Sequence, residues 1–466
     1  MTEAVPYELL DGILATAGVD AAGGAVEFVG SDPVFPTPYR IGDAGAATIG
    51  AAALAAARLW ESRAGEAQAI RVPVDAAAIA MRSSRYITTD PPTPRPSTGM
   101  RSTGFYRARD GRWMYFQRLF PHHLARQLEV LRCEGSDDAI ARAVSGWDGP
   151  ELEEAIVANG ATGAFVRHHD EWAAQPQARA LAALPLLEIT RIGESPAEPL
   201  PPGRRPLSGV KVLDLTRVLA GPTAARTLAE HGAEVLRVGT SIFPDNDLMM
   251  RDTGHGKRST ELDLTTAAGT EALRALIPGA DIFSQGYRPG ALDRLGLSPE
   301  EVASRRPGII YVTISAFGHE GPWKDRRGFD SVVQAASGIA DELSDPTTGT
   351  PRSLPANPLD YQTGYLAAFA ATVALTRRAV EGGSYLVRLS LAQTGHWLAG
   401  LSRADAGVAA TRPADLPPGR LEELTMVRDT PYGRLRYFAP VAQLSKTPAR
   451  WDLPTVPLDH DPPTWA

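Results

Sequence analysis

The sequence predicts an α/β protein, with a Rossmann-like, mostly parallel sheet domain accompanied by a smaller α+β domain. Two observations carry that prediction. Between residues 207 and 400, short apolar runs alternate with helical stretches of about ten residues, the rhythm of βαβ units. A stretch near the N-terminus also recurs, without gaps, in the second half of the chain.

The strands and helices follow in order. Lys211-Val-Leu-Asp-Leu215 is a short apolar run bounded by Gly209 and by the polar Thr216-Arg217, and it predicts the first strand. A helical stretch from Gly221 to His231 comes next and is stopped by Gly232. Glu234-Val-Leu-Arg-Val238 predicts the second strand, and further strands are expected over 259–264, 281–285 and 309–315. Helical patterns over 267–276 and 298–305 separate them.

The repeat pairs two alanine-rich helices. One begins at Asp43-Ala-Gly-Ala-Ala-Thr and ends near Gly65, followed by Arg71-Val-Pro-Val74. The other begins at Asp360-Tyr-Gln-Thr-Gly364 and ends near Gly382, followed by Arg388-Leu-Ser-Leu391. Asp43 pairs with Asp360, Gly65 with Gly382 and Arg71 with Arg388, so helix start, turn glycine and strand alternation all coincide.

Prolines mark the joints. Pro91, Pro92, Pro94 and Pro96 crowd one connector, and Glu198 to Pro206 forms the main linker. The expected division is an N-terminal partial repeat (1–90), a small-domain-like region (91–200), the Rossmann-like domain with the second helix copy (207–400), and a short C-terminal segment (401–466).

Composition removes several classes of function. Among 466 residues, Lys plus Arg total 47 against 54 for Asp plus Glu, a net charge of -7, so no broad positive field is available to hold a nucleic acid. Cys133 is the sole cysteine, which leaves no intramolecular disulfide and no thiolate zinc cluster. The start of the chain does not read as a secretory signal, and its most apolar helical stretch is shorter than the ~20 residues a bilayer requires. No membrane contact and a cytoplasmic location are the expectations. The turn after the first strand, Thr216-Arg-Val-Leu-Ala-Gly-Pro222, lacks the G-x-G-x-x-G fingerprint of dinucleotide binding, and no Walker A sequence follows any strand. The pairs His122-His123 and His168-His169 do not have helical metal-ligand spacing and are expected on the surface or in packing; no metal site is predicted.

A series of motifs in fixed order resembles the family III CoA-transferases, the CaiB/BaiF family. It opens with Leu207-Ser-Gly-Val-Lys-Val-Leu-Asp-Leu-Thr-Arg-Val-Leu-Ala-Gly-Pro222 and continues through Leu228 to Val238, Gly256-Lys-Arg-Ser259 and Leu262-Asp-Leu264. Arg288-Pro-Gly-Ala-Leu-Asp-Arg-Leu-Gly296, Ala316 to Pro322, Gly328-Phe-Asp330 and the Asp360 helix complete it. In the N-terminal segment, Asp110 to Phe116 and Pro185-Leu-Leu-Glu188 are similar to the family's small-domain region, and Phe438 to Pro448 to its closing segment. The order of parts departs from the usual one: a helix and small-domain copy precedes the single Rossmann-like half, as in a tandem protein that lost its first half.

The resemblance implies the family's fold and a reaction moving CoA from an acyl-CoA to a carboxylic acid, with no metal and no permanently bound cofactor. It places the nucleophile at Asp360, at a helix start where free N–H groups favour a carboxylate. It assigns Val218, Leu219 and Ala220 to the adenine and pantetheine wall, and Lys257, Arg294, Arg217 and Arg288 to the phosphates. Gly239 stands where the family often has a glutamate. A racemase branch uses a His-Asp dipeptide; here it is Phe329-Asp330, and phenylalanine takes no proton, so Asp330 is expected to serve structure. A homodimer, in this family interlocked, is implied. Asp43 is expected to be a vestigial helix cap. The rival from another class is a degenerate homologue that binds CoA without catalysis. The N-terminal small domain is expected to serve the only CoA-binding half.

Overall fold

A computed structural model describes residues 4–90, 92, 103–242 and 246–465; the proline connector lies, apart from Pro92, outside them. Its centre is a seven-stranded sheet. Numbered along the chain within this sheet, the strands are β1 Glu188–Gly193, β2 Lys211–Leu215, β3 Glu234–Gly239, β4 Lys257–Glu261, β5 Ile282–Gln285, β6 Ile310–Ser315 and β7 Ser384–Ser390. Their spatial order is β4-β3-β2-β5-β6-β7-β1. All neighbours run parallel except β1, which pairs antiparallel with β7 at one edge. Order reverses between β2 and β5, the place where open α/β sheets bind ligands beyond their carboxyl ends.

The local chemistry agrees with the expected elements. The Ala267–Leu276 helix starts at Thr266, whose hydroxyl accepts from the Gly269 amide. The Pro299–Arg305 helix opens on a Ser298–Glu301 capping box with proline in its first turn. Two elements of the 207–400 segment move by two residues or more. β4 starts at Lys257 and ends at Glu261, earlier than the expected 259–264, because its parallel pairing with Val235–Gly239 begins at Lys257. Asp360 is not the cap of its helix: Pro358–Glu381 begins after Asn357, which puts Asp360 within the first turn.

The repeat appears in the structure residue for residue. The Ile41–Ala64 and Pro358–Glu381 helices are both 24 residues long, and the pairing of Asp43 with Asp360 matches both of their ends. Gly65 and Gly382, just past those ends, both take positive φ (70° and 68°). The following strands, Ile70–Pro73 and β7, lead directly into helices at Val74 and Leu391. The two copies face each other. The Arg40 guanidinium donates to the Ser402 carbonyl (2.9 Å) and the Ala404 amide to the Pro38 carbonyl (2.8 Å). In return, the Asn357 amide donates to the Met81 carbonyl (2.9 Å) and Arg82 to that of Pro355 (3.2 Å). Each loop before a long helix thus rests on the helix end of the other copy, the reciprocal pattern of a two-fold contact, here within one chain.

The segments expected as separate are stitched together. Residues 188–193 form the sheet edge, Gln443–Leu444 extends the small Val26–Val29/Ile70–Pro73 sheet, and Thr88–Asp90 pairs with Gly433–Phe438. Glu198, in the expected linker, is held by Arg306 at 2.6 and 2.9 Å. The C-terminal tail runs along β4, where the Ser259 amide donates to Asp461 (3.0 Å) and the Trp465 indole to Leu276 (3.0 Å), so the sheet's far edge is covered. A lobe from residues 103–182 contains the antiparallel strands Thr103–Arg107, Trp113–Gln117 and Gly163–Phe165 with helices around them. It docks on the segment after β6: the Arg167 amide donates to the Ala335 carbonyl (3.2 Å), and Gln177 bonds the Phe317 carbonyl (2.6 Å) and the Trp323 amide (2.7 Å).

Candidate active site

The main cavity, of about 410 Å³, opens at the switch point. Its floor is the β2 loop with Thr216, Arg217, Val218, Ala220 and Gly221; Gly286 to Pro289 follow β5, and Ser315 ends β6 with Ala316 after it. Asp360 lies in its wall. The opposite side comes from the 103–182 lobe, which contributes Phe120, His122, His123 and Arg126. One chain therefore supplies both sides.

Asp214 organises the floor from the end of β2. Its carboxylate accepts from the Thr216 amide (3.0 Å) and hydroxyl (2.5 Å), and from Lys257 (2.9 Å), whose ammonium also donates to the Pro222 carbonyl (2.9 Å). These bonds fold the loop tightly enough that Val218, a β-branched residue, adopts φ 71°. Such a conformation costs on the order of 1–3 kcal/mol and persists where surrounding structure enforces it, typically at a ligand site.

Asp360 reaches the cavity because two helices cross closely. A Cβ on Gly364 would stand 2.5 Å from the Ala220 carbonyl oxygen, so glycine alone lets the Pro358–Glu381 helix lie against Ala220–Glu230 at this depth. Asp360 is 6% exposed. Burial first, and the Asp330 carboxylate second, push its carboxyl well above the usual range. Asp330 is the external cap of the helix: one of its oxygens accepts the Leu359 (2.8 Å) and Asp360 (3.1 Å) amides. Gln334 donates to its other oxygen and in turn accepts the Leu354 amide (2.8 Å). Burial raises Asp330 to about 7 against these hydrogen bonds. The positive end of the helix is thus shared by two carboxyls that resist simultaneous ionisation.

Beside Asp360 the wall is aromatic. Phe120 stacks on Phe329 (5.1 Å between centroids, 18° between planes), and His123 meets Phe329 edge-on at 5.7 Å. Burial and the neighbouring charges of His122, Arg327 and Arg126 lower His123 to about 3, so it is a neutral ring at physiological pH. Around the cavity stand Arg126, Arg217, Arg288, Lys324, Arg326 and Arg327. Arg326 is paired with Glu154 (2.6 Å). Arg327 is different: burial, then the like charges of Arg288 and Arg126, hold its guanidinium below the usual value. Crowded cations of this kind are stabilised by an anion.

The structure brings Arg217, Val218, Ala220, Arg288 and Asp360 together around one cavity. Three predicted contacts lie elsewhere. Lys257 is buried in its ion pair with Asp214, since a strand-end ammonium with a carboxylate 2.9 Å away is consumed by structure. Leu219 turns into the core, and Arg294 is exposed on the Asp293–Leu295 turn outside the cavity lining. Conversely, His122 and His123, expected on the surface or in packing, line the cavity. Their pairing with Phe120 at the start of the Pro121–Leu131 helix was the available signal, but nothing local shows that this helix end faces a site some 240 residues later. Among the described residues no group of His, Cys, Asp and Glu could hold a metal, and no helix is long and apolar enough to cross a membrane.

A doubly wound sheet, a switch-point cavity and a buried carboxyl at a helix start define an α/β protein with a ligand site beyond the carboxyl ends of its strands. The chain belongs to CoA-transferase family III, whose family model matches residues 15–196 and 207–430. It is 32% identical over 324 residues to "Acetyl-coenzyme A transferase nodX" of Hypoxylon pulicicidum, covering 64% of this chain and 54% of that one. It is 33% identical over 277 residues to "Acyl-CoA transferase" of Gibberella moniliformis, covering 56% and 48%. Among solved structures, a CAIB/BAIF family protein from Brucella suis is 26% identical, covers 50% of this chain and 65% of that chain, and superposes with a TM-score of 0.38. The chain spans about half the length of the curated relatives it matches.

Proposed function

We propose that this protein transfers CoA from an acyl-CoA to a carboxylic acid through a thioester on Asp360. The observation that carries the proposal is Asp360, buried in the first turn of a helix and in the wall of a cavity ringed by cations. An Asp360 oxygen attacks the acyl-CoA carbonyl, forming a mixed anhydride and releasing CoA thiolate. The thiolate attacks the aspartyl carbonyl of the anhydride, the acyl group leaves as its free carboxylate, and the enzyme holds aspartyl-CoA. An acceptor carboxylate then attacks the aspartyl thioester, again expelling the thiolate, which takes the new acyl group and restores Asp360. One thioester is exchanged for another, so the sequence needs no external energy source.

The residues divide the work. Arg217, Arg288 and Arg327 face the CoA phosphates, and Val218 and Ala220 guide the body of the CoA substrate past the floor. Phe120, His123 and Phe329 form an apolar wall that keeps water from the anhydride and thioester, both of which hydrolyse. Because the 103–182 lobe closes the cavity within the same chain, a homodimer is compatible with this arrangement but supplies none of the named residues.

The test is covalent. Incubation with a panel of acyl-CoAs, trapping with hydroxylamine or borohydride and mass mapping should label the peptide containing Asp360. Asp360→Asn should fold and lose about a thousandfold or more in turnover. Measurable CoA binding with no adduct from any donor would instead support a non-catalytic CoA-binding homologue.

A further inference from the structure

The structure contains a second buried acid pair that the reaction above does not use. At the matching position of the N-terminal copy, Asp43 sits in the first turn of the Ile41–Ala64 helix, as Asp360 does in Pro358–Glu381. Its amide donates to Asp32 (2.7 Å), just as the Asp360 amide donates to Asp330 (3.1 Å). Each helix start therefore has an external carboxylate cap and an acid behind it. Burial raises Asp43, and burial together with Asp43 raises Asp32 to about 7.

The two centres differ in three ways. The residue before the catalytic helix is Asn357; at the matching position stands Arg40, whose guanidinium bonds the Asp43 carboxylate at 2.8 Å. The loop differs too. In the C-terminal copy the connection from β6 to the helix carries Lys324 and Arg326 to Phe329, which line the cavity, whereas the N-terminal copy passes from Val29 to Ile41 directly. Finally, Asp43 has a side-chain exposure of 0%, and it is not among the residues lining the cavity that Asp360 borders.

We infer that Asp43 is a retired twin of Asp360, neutralised by Arg40 and converted into a structural tie, so that each chain bears one acyl-accepting carboxylate. Arg40 is the residue that makes the conversion. It pairs with Asp43 and also grips the Ser402 carbonyl of the opposite copy, so the carboxylate that could have accepted an acyl group instead anchors the contact between copies. This inference rests on the proposed reaction at Asp360 and adds a statement about where it does not occur.

Three measurements on the full chain test it. Trapping with an acyl-CoA and hydroxylamine should modify one site per chain, in the peptide of Asp360, and leave the peptide containing Asp43 unmodified; a label on Asp43 overturns the inference. Thermal unfolding of Arg40→Gln, Asp43→Asn and the double variant forms the second test. Each single change should lower the midpoint by several degrees by leaving a buried charge unpaired, and the double variant should lose clearly less than the sum. Turnover of folded Asp43→Asn should stay within about twofold of the parent, near the error of such comparisons. Additive midpoint losses, or a folded Asp43→Asn as inactive as Asp360→Asn, would refute the retirement. If no site at all is labelled, the proposed reaction fails, and the midpoint cycle still decides the role of Arg40. If the Asp43 variants do not fold, the label map of the unaltered protein decides alone.

Discussion

Asp330 shows how much a site can depend on a residue that does not line its cavity. It caps the helix start from outside and places a second carboxyl against Asp360. Removing its charge should make Asp360 easier to ionise. Asp330→Asn keeps an oxygen to accept the two amides, so the helix start should survive. The acid limb of kcat/KM should then move to lower pH, since the proposed reaction uses the carboxylate form of Asp360 as its nucleophile. A pH profile of the variant beside the parent measures this. A limb that stays in place, with kcat reduced at every pH, would mean that Asp330 acts only through backbone position. The same scale explains Lys257: a lysine after a strand looks like a phosphate contact until its carboxylate partner is seen.

At the level of elements, the site depends on how closely two helices approach. The crossing of Pro358–Glu381 over Ala220–Glu230 is set at Gly364, where an added Cβ meets the Ala220 carbonyl at 2.5 Å and the Thr223 Cβ at 2.7 Å. Neither a carbonyl in a helix nor a buried Cβ gives way easily. Gly364→Ala should therefore shift the helix outward and cost about 1–3 kcal/mol, the usual penalty of overpacking. Since Asp360 is one turn away, kcat should fall as well, while KM for acyl-CoA changes little. Calorimetry and steady-state kinetics on one preparation test both parts. An unchanged melting midpoint would show that the crossing has slack.

For the whole molecule, buried titrating groups set the response to pH. His123 and His231 are lowered to about 3 and His319 to about 4, all chiefly by burial. They are neutral in the folded and unfolded states above their ordinary value of 6.5 and drop out of the balance there. The raised carboxyls do not. Asp32 and Asp330 stand at about 7 and Glu230 at about 8, again with burial as the first cause. A carboxyl raised in the fold favours the native state below its unfolded value, and that contribution is lost as pH rises through the folded value. Stability should therefore decline as pH is raised from 6.5 to 8. Denaturant titrations at fixed ionic strength across that interval measure the slope; a flat or rising curve would mean that water reaches these groups.

Local pattern was sufficient for much of the fold. Lys211–Leu215 and Ala267–Leu276 have the boundaries that apolar runs and capping residues predict, because pleat, helical period and caps act over a few residues. The repeat was legible for the same reason, and Asp360 was legible through the motif around it. What local pattern could not supply was partnership. That Lys257 belongs to Asp214 and that His122 and His123 share a cavity with Asp360 are facts about segments distant in the chain, and that Arg40 turns to Asp43 is a fact of packing. A sequence fixes which groups are available and where the chain turns; only packing decides which carboxylate keeps an open cavity and which is closed by a guanidinium, because burial and pairing are properties of the space between elements.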